Sequence, residues 1–196
     1  LLGCDNRALA DIMIKGMQLD SRKVRPGDLF LALPGERHDG RQFIEQAVAN
    51  GAAAVVAEAP VAGFVEALPV PLVELPELRS EAGLLAARFY RNPSHAMHVV
   101  GITGTNGKTT TSRIIAQLTR DLGRPCGVIG TLGVSLEDDV SAAGNTTPDA
   151  LALQHQLAQW LAQGVFAVSM EVSSHALVQG RVNGVEFATA VYTNLS

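Results

Sequence analysis

His98-Val99-Val100-Gly101-Ile102 runs directly into Thr103-Gly104-Thr105-Asn106-Gly107-Lys108-Thr109-Thr110, and this junction decides the fold. The first five residues read as a short buried strand, and Ile114, Ile115, Leu118 and Leu122 recur beyond it as one face of a helix. A glycine-rich turn carrying a lysine and two hydroxyls between a strand and a helix is phosphate-binding chemistry. Its glycines bring backbone N–H groups close to phosphate oxygens, the helix N-terminus adds a favourable field, and Lys108 supplies a mobile positive charge. Thr109 stands where the hydroxyl of such a loop binds Mg2+. The pattern G-x-x-x-x-G-K-[ST] would place glycine at Ile102, and Gly101 and Gly104 flank that position instead. A plain structural turn is the alternative, but Lys108 followed by Thr109 and Thr110 has no packing purpose there.

The chain has 196 residues, 47% apolar and 17% charged, enough for one large or two small cored domains. Net charge −4 with scattered basic residues argues against a nucleic-acid partner, because binding a phosphate backbone needs clustered positive charge. No apolar run reaches the length of a membrane span and no secretory signal is visible, so a cytoplasmic protein is expected; a monomer is expected as well. Cys4 and Cys126 form no metal-ligand spacing and read as free thiols, Cys126 buried beside a strand. A chain that begins at Leu1 and stops at Ser196, just past an apolar strand pattern, reads as a fragment.

Outward from the loop, strands and helices alternate. Residues 28–33, 53–57 and 71–74 read as strands; Phe43, Ile44, Ala47 and Val48 form a helical stripe ended by Gly51, and Leu78, Ala82, Leu85 and Phe89 form another. Arg91-Asn92-Pro93-Ser94-His95 breaks the pattern and suggests a domain boundary near residue 94. Beyond it, strands near 98–102, 125–129, 165–170 and 187–192 are separated by helices near 107–122 and 148–162. This predicts an α/β protein: a small N-terminal α/β domain over 1–94, then a P-loop-type, doubly wound, mostly parallel sheet over 95–196, incomplete on its C-terminal side.

In such sheets ligands sit beyond the carboxyl ends of the strands, which singles out three further stretches. Val168-Ser169-Met170-Glu171-Val172-Ser173-Ser174-His175 delivers a carboxylate, two hydroxyls and an imidazole. Glu171 suits Mg2+, a hard cation that prefers oxygen ligands, or serves as an acid at a helix N-terminus. Ser173 caps the following helix or faces a ligand, and His175 is as readily structural as functional. Gly144-Asn145-Thr146-Thr147-Pro148-Asp149 leads into a helix; Thr147 as N-cap with Pro148 in the first turn explains part of it, leaving Asn145 and Thr146 as donors for a polar substrate. In Gln179-Gly180-Arg181 the guanidinium can grip a carboxylate or phosphate. In the first domain, turn chemistry alone explains Leu19-Asp20-Ser21-Arg22 and Pro34-Gly35-Glu36-Arg37-His38-Asp39-Gly40, and Trp160 reads as core.

Taken together, the motifs at 101–110, Asn145-Thr146-Thr147-Pro148 and Met170-Glu171-Val172-Ser173-Ser174-His175 resemble the Mur ligase family. The resemblance spans essentially the whole chain, since residues 19–30 look like that family's nucleotide-sugar-binding first domain. It points to the members that add the third peptide residue. It implies ATP-dependent joining of a diamino acid, meso-diaminopimelate or lysine, to UDP-N-acetylmuramoyl-L-alanyl-D-glutamate, with Mg2+ as cofactor.

By the same resemblance, Gly104, Thr105, Asn106, Gly107, Lys108, Thr109 and Thr110 hold ATP, Lys108 and Glu171 are catalytic, and Thr109 and Glu171 serve the metal. Leu19, Ser21, Glu36, Arg37 and His38 contact the uridine diphosphate end. Asn145, Thr146, Thr147, Ser173, Gln179 and Arg181 hold the sugar-peptide. In relatives a carbamylated lysine, a histidine and the amino-acid-selecting domain lie beyond the position of Ser196, so this chain alone is expected not to complete ligation. The competing readings are a D-alanyl-D-alanine-adding or folate-glutamating ligase, and a binding module without turnover.

Overall fold

A computed structural model describes residues 12–35, 38–65, 67–136, 139–141 and 146–195. The chain forms two compact units, residues 1–82 and 83–196, and the turn around residue 94 lies within the second.

In the first unit, β1 (Gly16–Gln18), β2 (Asp28–Ala32), β3 (Ala54–Glu58) and β4 (Leu72–Leu75) make a four-stranded sheet in that order, every pair parallel. Helix α1 (Ile44–Ala49) places Ile44 and Ala47 against Phe30, Val55 and Ala57, a core formed by the alternate apolar residues of the central strands. Gly16 is required by its neighbour: a Cβ there would stand 2.5 Å from Oδ1 of the buried Asp28.

Helix α2 (Leu78–Phe89) spans the division between the units. The second unit then runs β5 (His98–Thr103), α3 (Lys108–Asp121), β6 (Cys126–Gly130), β7 (Gly133–Leu136), β8 (Asp139–Ser141), α4 (Ala150–Ala162), β9 (Ala167–Glu171), α5 (Ser174–Val178) and β10 (Thr189–Tyr192). Its six-stranded sheet has the order β10-β5-β9-β6-β7-β8, parallel from β10 to β6 and antiparallel in the β6-β7-β8 meander. On one face Leu153, Leu157 and Trp160 of α4 pack with Ile129, Val168 and Met170; on the other Ala116 of α3 meets Cys126 and Ala167. The sheet is therefore doubly wound, and β5 lies where the strand order reverses, between β9 and β10.

Two expectations are corrected. Of the stripe Ile114, Ile115, Leu118 and Leu122, Ile115 is half-buried but the other three face solvent, at 51%, 58% and 79% exposure, while Ser112 and Ala116 are buried. The helix after the loop lies close to the sheet, so small side chains fill the contact and the larger apolar ones point outward. Thr147 is not the cap of α4: Asp149 accepts the Ala152 N–H, and Thr147 is buried two residues before it. Cys126 is buried as expected, and that burial pushes its thiol pKa up.

Gly127 on β6 lies flat against Trp160, whose ring carbon would be 2.5 Å from any Cβ there. Gly127→Ala should therefore overpack this core and destabilise the fold by about 1–3 kcal/mol, read from the urea midpoint.

Candidate functional site

The phosphate loop joins the carboxyl end of β5 to α3, so the sheet order puts it at the switch point. Gly104 and Gly107 carry φ +128° and +83°, in the left-handed region where a side chain would be strained. Gly107 is the residue from which α3 starts, so the N–H groups of its first turn lack intrahelical partners. Lys108 lies back over the loop, its Nζ donating to the Gly104 carbonyl at 2.6 Å and the Thr105 carbonyl at 3.2 Å.

Glu171 ends β9, the strand beside β5, and is 1% exposed. The Thr109 hydroxyl donates to Glu171 Oε1 at 2.8 Å, joining α3 to the strand end. The Thr131 N–H donates to Oε1 at 3.0 Å and the Thr131 hydroxyl to Oε2 at 3.1 Å. Gly130 leaves the room this needs, because a Cβ there would fall 2.2 Å from Glu171 Oε1. Among the described residues no group of three His, Cys, Asp or Glu could hold a metal ion. A hydroxyl and a carboxylate nonetheless form an all-oxygen donor pair, which fits Mg2+ completing its shell with phosphate oxygens and water.

The hydrogen bonds continue into the predicted sugar-peptide residues. Thr131 Oγ1 lies 3.2 Å from Thr146 Oγ1. Thr147 donates its hydroxyl to the Glu171 carbonyl at 3.0 Å and accepts the Ser173 N–H at 3.3 Å. Arg181 donates through Nη1 to the Thr147 carbonyl at 2.9 Å and through Nε to Gln179 Oε1 at 2.8 Å. Ser173 caps α5, accepting the Ala176 N–H at 3.2 Å, and His175 is exposed. One connected rim thus brings Thr109, Glu171, Thr146, Thr147, Ser173, Gln179 and Arg181 together; Asn145 lies outside the described residues.

In the first unit, Leu19, Ser21 and His38 follow the carboxyl ends of the adjacent strands β1 and β2. Ser21 is buried with its hydroxyl donating to Gln46 Oε1 at 2.7 Å, while His38 is exposed and meets Phe43 edge-on. Glu36 and Arg37 lie outside the described residues. Each loop is closed by the same device: Asp20 accepts the N–H and guanidinium of Arg22, and Asp39 those of Arg41. The hydrogen bonds from the arginines hold both carboxyls below the usual carboxylate range.

Sequence reasoning missed Thr131, at the end of β6, and Thr193-Asn194, which follow β10 and touch the phosphate loop. Inspecting the carboxyl end of every parallel strand, rather than only those followed by conspicuous polar clusters, finds both.

A switch-point loop of this kind, backed by a buried carboxylate on the next strand, defines a P-loop-type α/β domain. Residues 13–90 match the model described as Mur ligase family, catalytic domain, and residues 102–196 match the Mur ligase middle domain. The chain belongs to the Mur ligase family. It is 49% identical over 189 residues to the UDP-N-acetylmuramoyl-L-alanyl-D-glutamate--2,6-diaminopimelate ligase of Ectopseudomonas mendocina (strain ymp), covering 96% of this chain and 39% of that protein. The chain thus spans about two-fifths of that relative's length. A solved structure of a ligase of the same name aligns with TM-score 0.80 at 39% identity, over 93% of this chain and 37% of that one. The structure of UDP-N-acetylmuramoylalanyl-D-glutamyl-2,6-diaminopimelate--D-alanyl-D-alanyl ligase from Acinetobacter baumannii aligns less well, with TM-score 0.55 at 30% identity, over 82% of this chain and 31% of that one.

Thr131→Val keeps the β-branched shape and the N–H bond but removes the hydroxyl from the buried carboxylate. A hydrogen bond to a charged group contributes about 1.5–3 kcal/mol, so this variant should lose about 1.5 kcal/mol in denaturant unfolding at neutral pH.

Proposed function

We propose that this chain supplies the nucleotide-sugar-binding and ATP-binding parts of a cytoplasmic, ATP-dependent amide ligase. The reaction is the joining of meso-2,6-diaminopimelate to UDP-N-acetylmuramoyl-L-alanyl-D-glutamate in peptidoglycan precursor synthesis. The observation that carries the reading is the 2.8 Å bond from Thr109 to Glu171, which brings a phosphate loop and an oxygen donor pair together beside the rim of Thr146, Thr147 and Arg181. The motifs leave diaminopimelate and lysine open; the name borne by the relative at 49% identity favours diaminopimelate. The better alignment to that ligase than to the D-alanyl-D-alanyl ligase favours it over the dipeptide-adding alternative.

In this reading Gly104 to Thr110 hold the triphosphate, with the first-turn N–H groups of α3 directed at its oxygens. Lys108 exchanges the carbonyls of Gly104 and Thr105 for the transferring phosphoryl group and stabilises its charge. Thr109 and Glu171 would hold Mg2+, which when bound would supply positive charge to neutralise the phosphate oxygens. Leu19, Ser21, Glu36, Arg37 and His38 hold the uridine diphosphate end. Asn145, Thr146, Thr147, Ser173, Gln179 and Arg181 orient the peptide end, so that its D-glutamyl carboxylate oxygen attacks the γ-phosphorus and ADP departs. The acyl phosphate formed is then attacked by the amine of the diamino acid; a tetrahedral intermediate collapses to the amide and releases phosphate. No covalent bond to the protein is needed, and positioning and electrostatics supply the rate.

Substrate-dependent ADP release tests the reading directly. Lys108→Ala in the active ligase should lower turnover by about a hundredfold or more, and near-normal turnover would remove the phosphate loop from the mechanism. Arg181→Ala should raise KM for the UDP-sugar dipeptide about tenfold while leaving that for ATP nearly unchanged. An unaltered dipeptide KM would take Arg181 out of the substrate site.

A further inference from the structure

Beyond β10 the backbone folds over the phosphate loop. The Asn194 side-chain amide clasps one residue of it: Oδ1 accepts the Asn106 N–H at 3.1 Å and Nδ2 donates to the Asn106 carbonyl at 3.1 Å. The Asn194 carbonyl accepts the Thr105 N–H at 3.0 Å. Thr193 Oγ1 donates to the Asn106 carbonyl at 2.7 Å and lies 3.2 Å from the Thr103 carbonyl, which also accepts the Thr193 N–H at 3.0 Å. The approach is close enough to demand glycine at the loop's entry, since a Cβ on Gly104 would be 2.2 Å from Thr193 Oγ1.

We propose that Thr193 and Asn194 are positioning residues for the nucleotide, a latch that fixes the loop's outer wall so that its inner N–H groups face the phosphates. The inference rests on the reading above that the loop binds ATP. Residues 105 and 106 lie between two glycines in left-handed conformations, Gly104 and Gly107, which hold the backbone least firmly. Lys108 braces the same stretch through the Gly104 and Thr105 carbonyls, but it must give these up to reach a phosphoryl group. Asn194 and Thr193 carry no charge that a phosphate would draw away, so their bonds persist when those of the lysine are exchanged. The latch also occupies the Thr105 and Asn106 N–H groups, which leaves phosphate recognition to the N–H groups of residues 107–110. An ordered loop binds more tightly because less conformational freedom is lost on binding.

The test compares the unaltered chain with Asn194→Ala and Thr193→Val. A non-hydrolysable ATP analogue with Mg2+ and the UDP-sugar dipeptide are titrated calorimetrically, and hydrogen exchange is followed at the Thr105 and Asn106 amides. Loss of the two-point clasp should weaken the analogue about tenfold in Asn194→Ala, and loss of the hydroxyl about threefold in Thr193→Val. Exchange at Asn106 should quicken in Asn194→Ala, while dipeptide affinity and the thermal midpoint stay unchanged. Asn194 is exposed, so its truncation leaves no buried group unmatched. Faster exchange at Asn106 with undiminished analogue affinity would overturn the latch, and so would unchanged exchange. Failure of the unaltered chain to bind the analogue would instead overturn the ATP-binding reading beneath it.

Discussion

A carboxylate buried at a strand end must be matched by hydrogen-bond donors, and the second unit is arranged around meeting that demand for Glu171. Left unpaired, a buried charge costs several kcal/mol. Three donors prevent this: the Thr109 hydroxyl from α3, and the Thr131 N–H and hydroxyl from the turn after β6. Each comes from a different chain segment from the carboxylate itself, so matching one charge fixes the phosphate helix, the central strand and the entry to the β7-β8 meander relative to one another. Gly130 is part of the same constraint, because the carboxylate occupies the space of its missing side chain.

That constraint explains why chemistry gathers at this edge of the sheet. In a doubly wound sheet the loops at the carboxyl ends of parallel strands share one rim, and the strand order here places β9 next to β5. The carboxylate therefore meets the phosphate helix, while the backbone at its own position binds Thr147, and Thr147 in turn holds Arg181 through its carbonyl. Thr131 spans the two halves, donating to Glu171 and lying beside Thr146. The loop and α3 are therefore joined to the rim of Thr146, Thr147 and Arg181 through the hydroxyls of Thr109, Thr131 and Thr147 and the carboxylate of Glu171.

Much of this was legible in the sequence because burial on both faces leaves plain marks. Val99 to Ile102 is a continuous apolar run and Val168 to Met170 is interrupted only by the buried Ser169, and both strands fall where expected. Periodicity alone could not choose the buried face of α3: it found the stripe at 114, 115, 118 and 122, of which only Ile115 is half-buried, but the sheet takes Ser112 and Ala116, since close approach favours small residues over large apolar ones. The three- and four-residue strands β1, β7 and β8 are too short to carry a strand signal. Thr147 looked like a cap because Thr-Pro commonly opens helices; its hydroxyl is committed instead to a strand 24 residues away. Local chemistry could not reveal that partner, because the demand came from Glu171 and its neighbours after folding.

The same reasoning separates residues that touch a ligand from those that shape its surroundings. A phosphate loop recognised by its glycines and lysine is described by what it offers, namely N–H groups and charge. Its conformation depends equally on what takes the remaining polar groups, and here two peptide N–H groups inside the motif are already engaged by Asn194. A motif that names seven consecutive residues therefore overstates the donors that face a phosphate. Under the proposed ATP-binding reading, the donors left for a phosphate are those of the first turn of α3, where helix geometry leaves N–H groups without intrahelical acceptors.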